Sequence, residues 1–220
     1  MLAPSFERWE VLVRNNKRAG VRYRAMTPHT LLTRLIVGDE QRPYRAESRV
    51  HLEPNSGSWE LSWFQDIGMS YPQLMRRKLQ RLPVGSMPSS ADYLMMLRAI
   101  RNPEEEVSYL RLAEAAVCAQ DVFDAARIKP NARIIRVGEE PLQIPQGLPI
   151  ASQRFEVWVD GMLVVTHWVG ADQDIVASQW GSDLKSYKFS AITSSAPWYS
   201  LAGLDSEIQE FLTSGFGGHL

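Results

Sequence analysis

The stretch Ser152-Gln153-Arg154-Phe155-Glu156-Val157-Trp158-Val159-Asp160-Gly161-Met162-Leu163-Val164-Val165-Thr166-His167-Trp168-Val169 carries the strongest local-structure signal in the chain. β-Branched and aromatic residues dominate both arms, and Asp160-Gly161 separates them. Asp-Gly favours a type I′ turn, because both central residues must take positive φ and that turn matches the twist of the flanking strands. A two-residue loop sets Val159 opposite Met162, Val157 opposite Val164, Phe155 opposite Thr166 and Arg154 opposite His167. One face then carries Phe155, Val157, Val159, Met162, Val164 and Trp168, and the other Arg154, Glu156, Trp158, Leu163, Val165 and His167. Both faces are partly apolar, so this hairpin is expected in the interior of a sheet.

A second hairpin is expected over 44–65, turning at Pro54-Asn55-Ser56-Gly57. Its four-residue loop pairs Leu52 with Trp59, Val50 with Leu61 and Ser48 with Trp63, and the reverse face joins His51 to Glu60 and Arg49 to Ser62. Such alternation predicts one face in the core and one in water. Shorter strands are expected at 133–137 and 186–193.

Helices are predicted from their start signals. Thr27-Pro28 precedes Leu31, Leu32, Leu35 and Ile36, with Gly38 as the stop. Ser70-Tyr71-Pro72-Gln73 has capping-box spacing ahead of Leu74, Met75, Leu79 and Leu82. A third helix opens at 89–92 and ends at Asn102-Pro103, which then caps a long helix to about 127 with Cys118 in its alanine-rich middle. A short helix over 205–213 precedes a glycine-rich tail, 214–220, expected to be mobile. Segment 6–17 fits a helix or a strand, and Glu10 and Arg14 at i,i+4 tip the reading towards helix. Strands and helices do not alternate regularly. The expected fold class is therefore α+β: a mainly antiparallel sheet built from hairpins, packed against a long central helix and several shorter helices. Residues 1–220 are expected to form a single domain, with a loop at 138–150 as the candidate internal boundary.

Several function classes find no support in the motifs. One cysteine, Cys118, excludes an internal disulfide framework and a multi-cysteine metal site, and is read as a buried small hydrophobe. No apolar run approaches membrane-spanning length, and the first residues lack a basic and apolar leader pattern, so a soluble, cytoplasmic protein with no membrane partner is expected. There is no GxxxxGK[ST] or GxGxxG phosphate loop. His29, His51, His167 and His219 do not fall at metal-ligand spacing, and Asp172-Gln173-Asp174 is read as an acidic turn rather than a cation site. Glu104-Glu105-Glu106 is read as complementing a helix N-terminus. No catalytic residue, metal or cofactor is assigned, and the balance tips away from an enzyme.

Charge supplies the remaining signal. Residues 1–82 hold 14 Lys/Arg against 8 Asp/Glu, a net of +6, whereas 83–220 hold 10 against 17, a net of −7. After local neighbours are paired off, two basic segments remain: Arg14, Lys17, Arg18, Arg22 and Arg24 with Tyr23 interleaved, and Arg76, Arg77 and Arg81 on one expected helix face. Arginine with aromatics grips phosphates and stacks bases. These eight residues are the expected nucleic-acid contacts of a non-catalytic binding or assembly protein, whose arginine-rich N-terminal half meets RNA, DNA or an acidic protein. One alternative is an enzyme acting on a small ligand in a pocket lined by Trp158, Trp168 and Trp180, with His167 and Asp172 or Asp174 as polar groups. Another is a self-assembling structural subunit or homo-oligomer.

Overall fold

The computed structural model describes residues 5–38, 43–53, 58–113, 130–145, 147–189 and 204–217. Along the chain these form β1 (Phe6–Arg14), β2 (Lys17–Met26), β3 (Thr30–Val37), β4 (Tyr44–Leu52), β5 (Trp59–Asp66), β6 (Gln73–Arg76), β7 (Ser86–Pro88), α1 (Asp92–Arg101), β8 (Val107–Leu112), β9 (Ala132–Glu139), β10 (Gln153–Val159), β11 (Met162–Val169), β12 (Ile175–Trp180), β13 (Leu184–Lys188) and α2 (Ser206–Ser214). The strands make one 13-stranded sheet in the order β6-β5-β4-β3-β2-β1-β13-β12-β11-β10-β9-β8-β7. Two meanders are thus joined where β1 pairs antiparallel with β13. Only the short β7–β8 pairing is parallel among the described strands.

This arrangement overturns the expected packing against a long central helix and several shorter ones, since the described residues contain two short α-helices and a dominant sheet. Each misread helix has a local reason. In β1, an i,i+4 pair is worth only a few tenths of a kcal/mol. The Trp9, Val11 and Val13 alternation outweighs it and buries one face in the sheet. The hydroxyl of Thr27 does accept from the amides of His29 (3.2 Å) and Thr30 (3.0 Å), as a cap would, but it closes the β2–β3 turn instead. The capping-box segment after Ser70 holds the edge strand β6 and a turn in which Arg81 takes φ 55°. Asn102-Pro103 ends α1 as expected, but Val107–Leu112 is a strand rather than the first turns of a long helix. The remainder of that segment, with Cys118, lies outside the described residues.

Both hairpins are present with one-residue corrections. Asp160 (φ 49°) and Gly161 (φ 79°) form the expected turn, and Val159 faces Met162. A bulge at Val157/Trp158 then sets Val157 opposite Val165, Phe155 opposite His167 and Arg154 opposite Trp168. In the β4–β5 hairpin Leu52 faces Trp59, and a bulge at His51/Leu52 sets Val50 opposite Ser62, Ser48 opposite Phe64 and His51 opposite Leu61. A bulge adds one residue to one strand, so it changes the pairing of everything beyond it.

The sheet curls so that both meanders face one interior. Val50, Trp59 and Met75 from the first share a core with Ile134, Phe155 and Val157 from the second, and with Met96 and Ala99 of α1. The far edges meet where the Trp59 indole N–H donates to the Ser86 carbonyl at 2.8 Å. On the outer surface, α2 covers Val21 and Ile36 with Phe211 and Leu212. The Leu142–Ile150 bridge covers Val11, Trp168 and Tyr187.

α2 is held at its C-terminal end by charge. The Arg34 guanidinium donates to the carbonyls of Leu212 (2.9 Å) and Thr213 (2.5 Å), placing a cation where the helix dipole is negative. Glu47, fully buried, accepts from the Phe216 amide at 2.9 Å. Gly215 sits between them at φ 71°, and a Cβ there would lie 1.9 Å from a Glu47 carboxylate oxygen. Gly215→Ala is therefore expected to lower stability by about 1 kcal/mol or more, measured by urea unfolding, with fraying of α2 visible as faster amide exchange over 206–214.

Candidate functional site: a cavity lined by buried arginines

Residues directly opposite on neighbouring strands point to the same face, so the pairing registers assemble the interior in rows. One row runs Phe64, Ser48, Thr33, Arg24, Arg8 across β5 to β1. The next runs Ala46, Leu35, Arg22, Glu10, Lys188 from β4 to β13. A third runs Leu12, Ser186, Ser178, His167 from β1 to β11. Together with Tyr93 of α1 and Trp180 of β12, members of these rows line a partly open cavity of about 230 Å³.

The charges at its floor are organised around Glu10, whose side chain is 1% exposed. One carboxylate oxygen accepts from Arg8 at 2.5 Å and Arg24 at 3.1 Å, and the other from Arg22, whose Nε lies at 2.9 Å. Burial alone would raise the Glu10 pKa, but Arg22, then Arg8 and Arg24, reverse this and hold it well below the usual carboxylate range. Arg8 is fully engaged: its other donors reach Asp174 at 2.6 Å and the Ile175 carbonyl. Asp174 also takes Lys188 at 2.5 Å.

Arg22 and Arg24 are engaged on one side only. Arg22 also reaches the Ser186 hydroxyl (3.2 Å), and its guanidinium stands 4.6 Å from the Trp180 ring centre. Arg24 touches Thr33 at 3.4 Å and stands 4.3 Å from the Tyr93 ring centre. Burial, then the nearby Arg22 charge, lowers the Arg24 pKa to about 10, so it stays a cation at neutral pH. Among the described residues, Arg22 Nη1 and Arg24 Nη2 make no hydrogen bond, and both side chains line the cavity.

His167 forms a neutral part of the wall. Its Nδ1 shares a hydrogen bond of 2.8 Å with the Ser178 hydroxyl. Burial, then the positive charge of Arg22, lowers its pKa to about 3. An imidazole this weakly basic does not suit general-base work near pH 7, and among the described residues no carboxylate hydrogen-bonds to it. The Ser178–His167 contact is thus a polar lining rather than a nucleophile–base pair. At the rim, Asp92 is satisfied by the Tyr109 hydroxyl (2.9 Å) and Arg111 (2.7 Å).

The eight arginines and lysines singled out from the sequence separate in space. Arg22 and Arg24 point inward to the cavity, and Arg77 is buried, donating to the Trp59 carbonyl (2.6 Å) and pairing with Glu53 (2.8 Å). Arg14 pairs with Asp183 at 3.0 Å, Lys17 is exposed and Arg18 half-buried at the β1–β2 end. Arg76 and Arg81 are exposed near the β6 edge, and the helix that would align them with Arg77 is not formed. Of the tryptophans, Trp180 lines the cavity, Trp168 faces the outer cluster and Trp158 donates to Glu156 at 3.0 Å. Asp172 and Asp174 lie in the turn before β12, with Asp174 bound to Arg8 and Lys188. Glu104 and Glu106 precede β8 and pair with Arg136 (3.1 Å) and Arg133 (3.7 Å), and His219 lies outside the described residues.

Sequence reasoning missed Glu10, Arg8, Ser178 and Ser186. A signal was present: Arg8-x-Glu10 and Arg22-x-Arg24 place charges at the two-residue period of a strand, alternating with apolar Trp9, Val11, Val21 and Tyr23. Among the described residues, no group of three or more His, Cys, Asp or Glu is arranged to hold a metal ion, and no helix is long and apolar enough to cross a membrane. Comparison with family models, with curated proteins and with solved structures finds no match to this chain.

The neutral His167 links stability to pH. Its folded pKa of about 3 lies below the ordinary 6.5, so between these values the unfolded chain binds a proton that the folded one does not. Stability is therefore lost as pH falls through that window, at up to about 1.4 kcal/mol per pH unit. Urea titrations from pH 7 to 4 should show wild type losing stability faster than His167→Gln. Parallel curves would contradict the assignment of a neutral imidazole.

Proposed function

We propose that this protein binds a small anionic ligand inside the curled sheet, with Arg22 and Arg24 as its anchors. The supporting observation is the pair of one-sided guanidinium groups, both lining a cavity and both in contact with an aromatic ring. Guanidinium edges match carboxylate and phosphate oxygens, and such bonds strengthen when water is excluded. The arginine-rich N-terminal half remains the part that meets an anion, but the anion that fits the geometry is a molecule small enough for 230 Å³.

A nucleic-acid partner draws less support. Arg22, Arg24 and Arg77 are turned inward, and the exposed members at the β1–β2 end and at β6 are separated in the sheet by β3 to β5. Catalysis on the bound ligand draws less support as well, because His167 is a poor base.

Titration calorimetry of the full chain against small carboxylates and phosphate monoesters tests this reading. Binding in the micromolar to millimolar range is expected, reduced about tenfold or more by Arg22→Leu or Arg24→Leu and unchanged by Arg14→Leu, with folding checked by circular dichroism. If no small anion binds, or if Arg14→Leu weakens binding as much as the cavity variants, the reading fails. Salt-sensitive retention of RNA or DNA in a filter assay would favour the polyanion instead.

A further inference from the structure

The charge count within the cavity narrows the ligand further, granting the small-anion reading above. Its lining holds Arg22 and Arg24, with Glu10 directly behind them as their shared counter-charge. Arg8 contacts Glu10 too, but Arg8 and Lys188 together are balanced by Asp174 and Asp172. At the rim, Asp92 and Arg111 cancel as a pair. Glu47, on the β4 wall, is claimed from the outer side by Arg34 (3.6 Å) and Arg49 (2.6 Å). His167 is neutral. Among the described residues, two guanidiniums against one carboxylate leave an excess of one positive charge facing the cavity.

The remaining walls are apolar or only weakly polar. Leu35 and Phe64 come from the first meander, Val165 and Ile175 from the second, and the Ser178 hydroxyl and the His167 ring join them in the lining. A volume of 230 Å³ falls below the roughly 300–1,000 Å³ of sites for drug-sized ligands. The space therefore suits a compact molecule with one charged end and one apolar end. We infer that the cavity takes a monocarboxylate bearing a compact apolar group such as a single ring, its carboxylate facing the open edges of Arg22 and Arg24 and its apolar group against Leu35, Phe64, Val165 and Ile175. A dianion would bring a second negative charge that no further excess of positive charge among the described lining residues meets, and an uncompensated charge in a partly buried site is costly. A neutral molecule of the same shape would leave both guanidinium edges unsatisfied after losing their water.

Three ring compounds of matched shape separate these terms: benzoate, phenyl phosphate and benzyl alcohol, each titrated calorimetrically into the wild-type full chain at pH 7.5. Benzoate is expected to bind at least tenfold more tightly than either of the others. At pH 5.5 phenyl phosphate, whose second proton is gained near pH 6 as for other phosphate monoesters, becomes largely a monoanion and should close most of its gap to benzoate. Over that interval Glu10 stays ionised, His167 neutral and Arg24 charged, so the change belongs to the ligand. Glu10→Gln adds one net positive charge to the site and should shift the preference about tenfold toward phenyl phosphate. Should that variant fail to fold, the wild-type pH comparison still decides.

Phenyl phosphate binding as tightly as benzoate at pH 7.5 would overturn the monoanion inference and leave the small-anion reading standing. Benzyl alcohol matching benzoate would overturn both. If none of the three binds while larger or aliphatic anions do, the compact-ring inference is wrong and the small-anion reading survives.

Discussion

The buried carboxylate of Glu10 is the interaction on which the interior depends. A charge with 1% side-chain exposure persists only if its lost hydration is replaced, and Arg8, Arg22 and Arg24 replace it from two adjacent strands. Three cations cannot crowd one anion without strain among themselves, and that repulsion is relieved in different ways. Arg8 takes a second acid, Asp174, whereas Arg22 and Arg24 lean on the faces of Trp180 and Tyr93. The cluster holds β1 and β2 in register and ties them to the turn before β12, across the β1–β13 seam that joins the two meanders.

That cluster also explains where the core is and why a cavity remains. The apolar core formed with α1 holds side chains such as Trp59, Met96 and Phe155, while the charged rows of β1 and β2 take no part in it. The curled sheet closes on itself at Trp59 and Ser86, and the described residues leave a cavity beside the arginines held by Glu10. The opposite faces of the same strands are free of this constraint. They carry Val11, Val21 and Ile36, and are covered by the Leu142–Ile150 bridge and by α2. A sheet buried on both faces in this way reads as apolar on both sides of its strands, as the β10–β11 hairpin does.

Much of the local structure was legible in the sequence and the site only partly so. Asp160-Gly161 specifies its turn through positive φ at two adjacent residues, and Asp205 caps α2 by accepting from the Glu207 amide at 2.8 Å. Those signals act within a few residues and need no partner. Thr27-Pro28 and Ser70-Tyr71-Pro72-Gln73 use the same chemistry ambiguously, because a hydroxyl that accepts amides two or three residues on closes a turn as readily as it starts a helix. Asn15 (φ 51°) and Asn16 (φ 58°), which turn β1 into β2, were a readable turn signal that the helical reading of 6–17 passed over. For the site, the arginine excess of the N-terminal half pointed to an anion, and Arg22, Arg24, His167 and Trp180 were among the residues singled out. Which of the arginines face inward was not readable, since it depends on 6–14 being a strand paired to β2 and on which face of the sheet the curl turns inward.

By itself the sequence determined the hairpins at 152–169 and 44–65, the last helix, and an excess of arginine in the first half, because turn geometry, capping and composition are properties of short segments or simple sums. Only the tertiary structure decided that 6–14 is a strand at the seam of a 13-stranded sheet, and that Arg8, Arg22 and Arg24 converge on Glu10. Pairing between β1 and β13 joins residues some 170 positions apart, and nothing local to either strand encodes it. That long-range pairing, with the curl of the sheet, turns a scattered charge excess into two guanidinium edges facing one cavity.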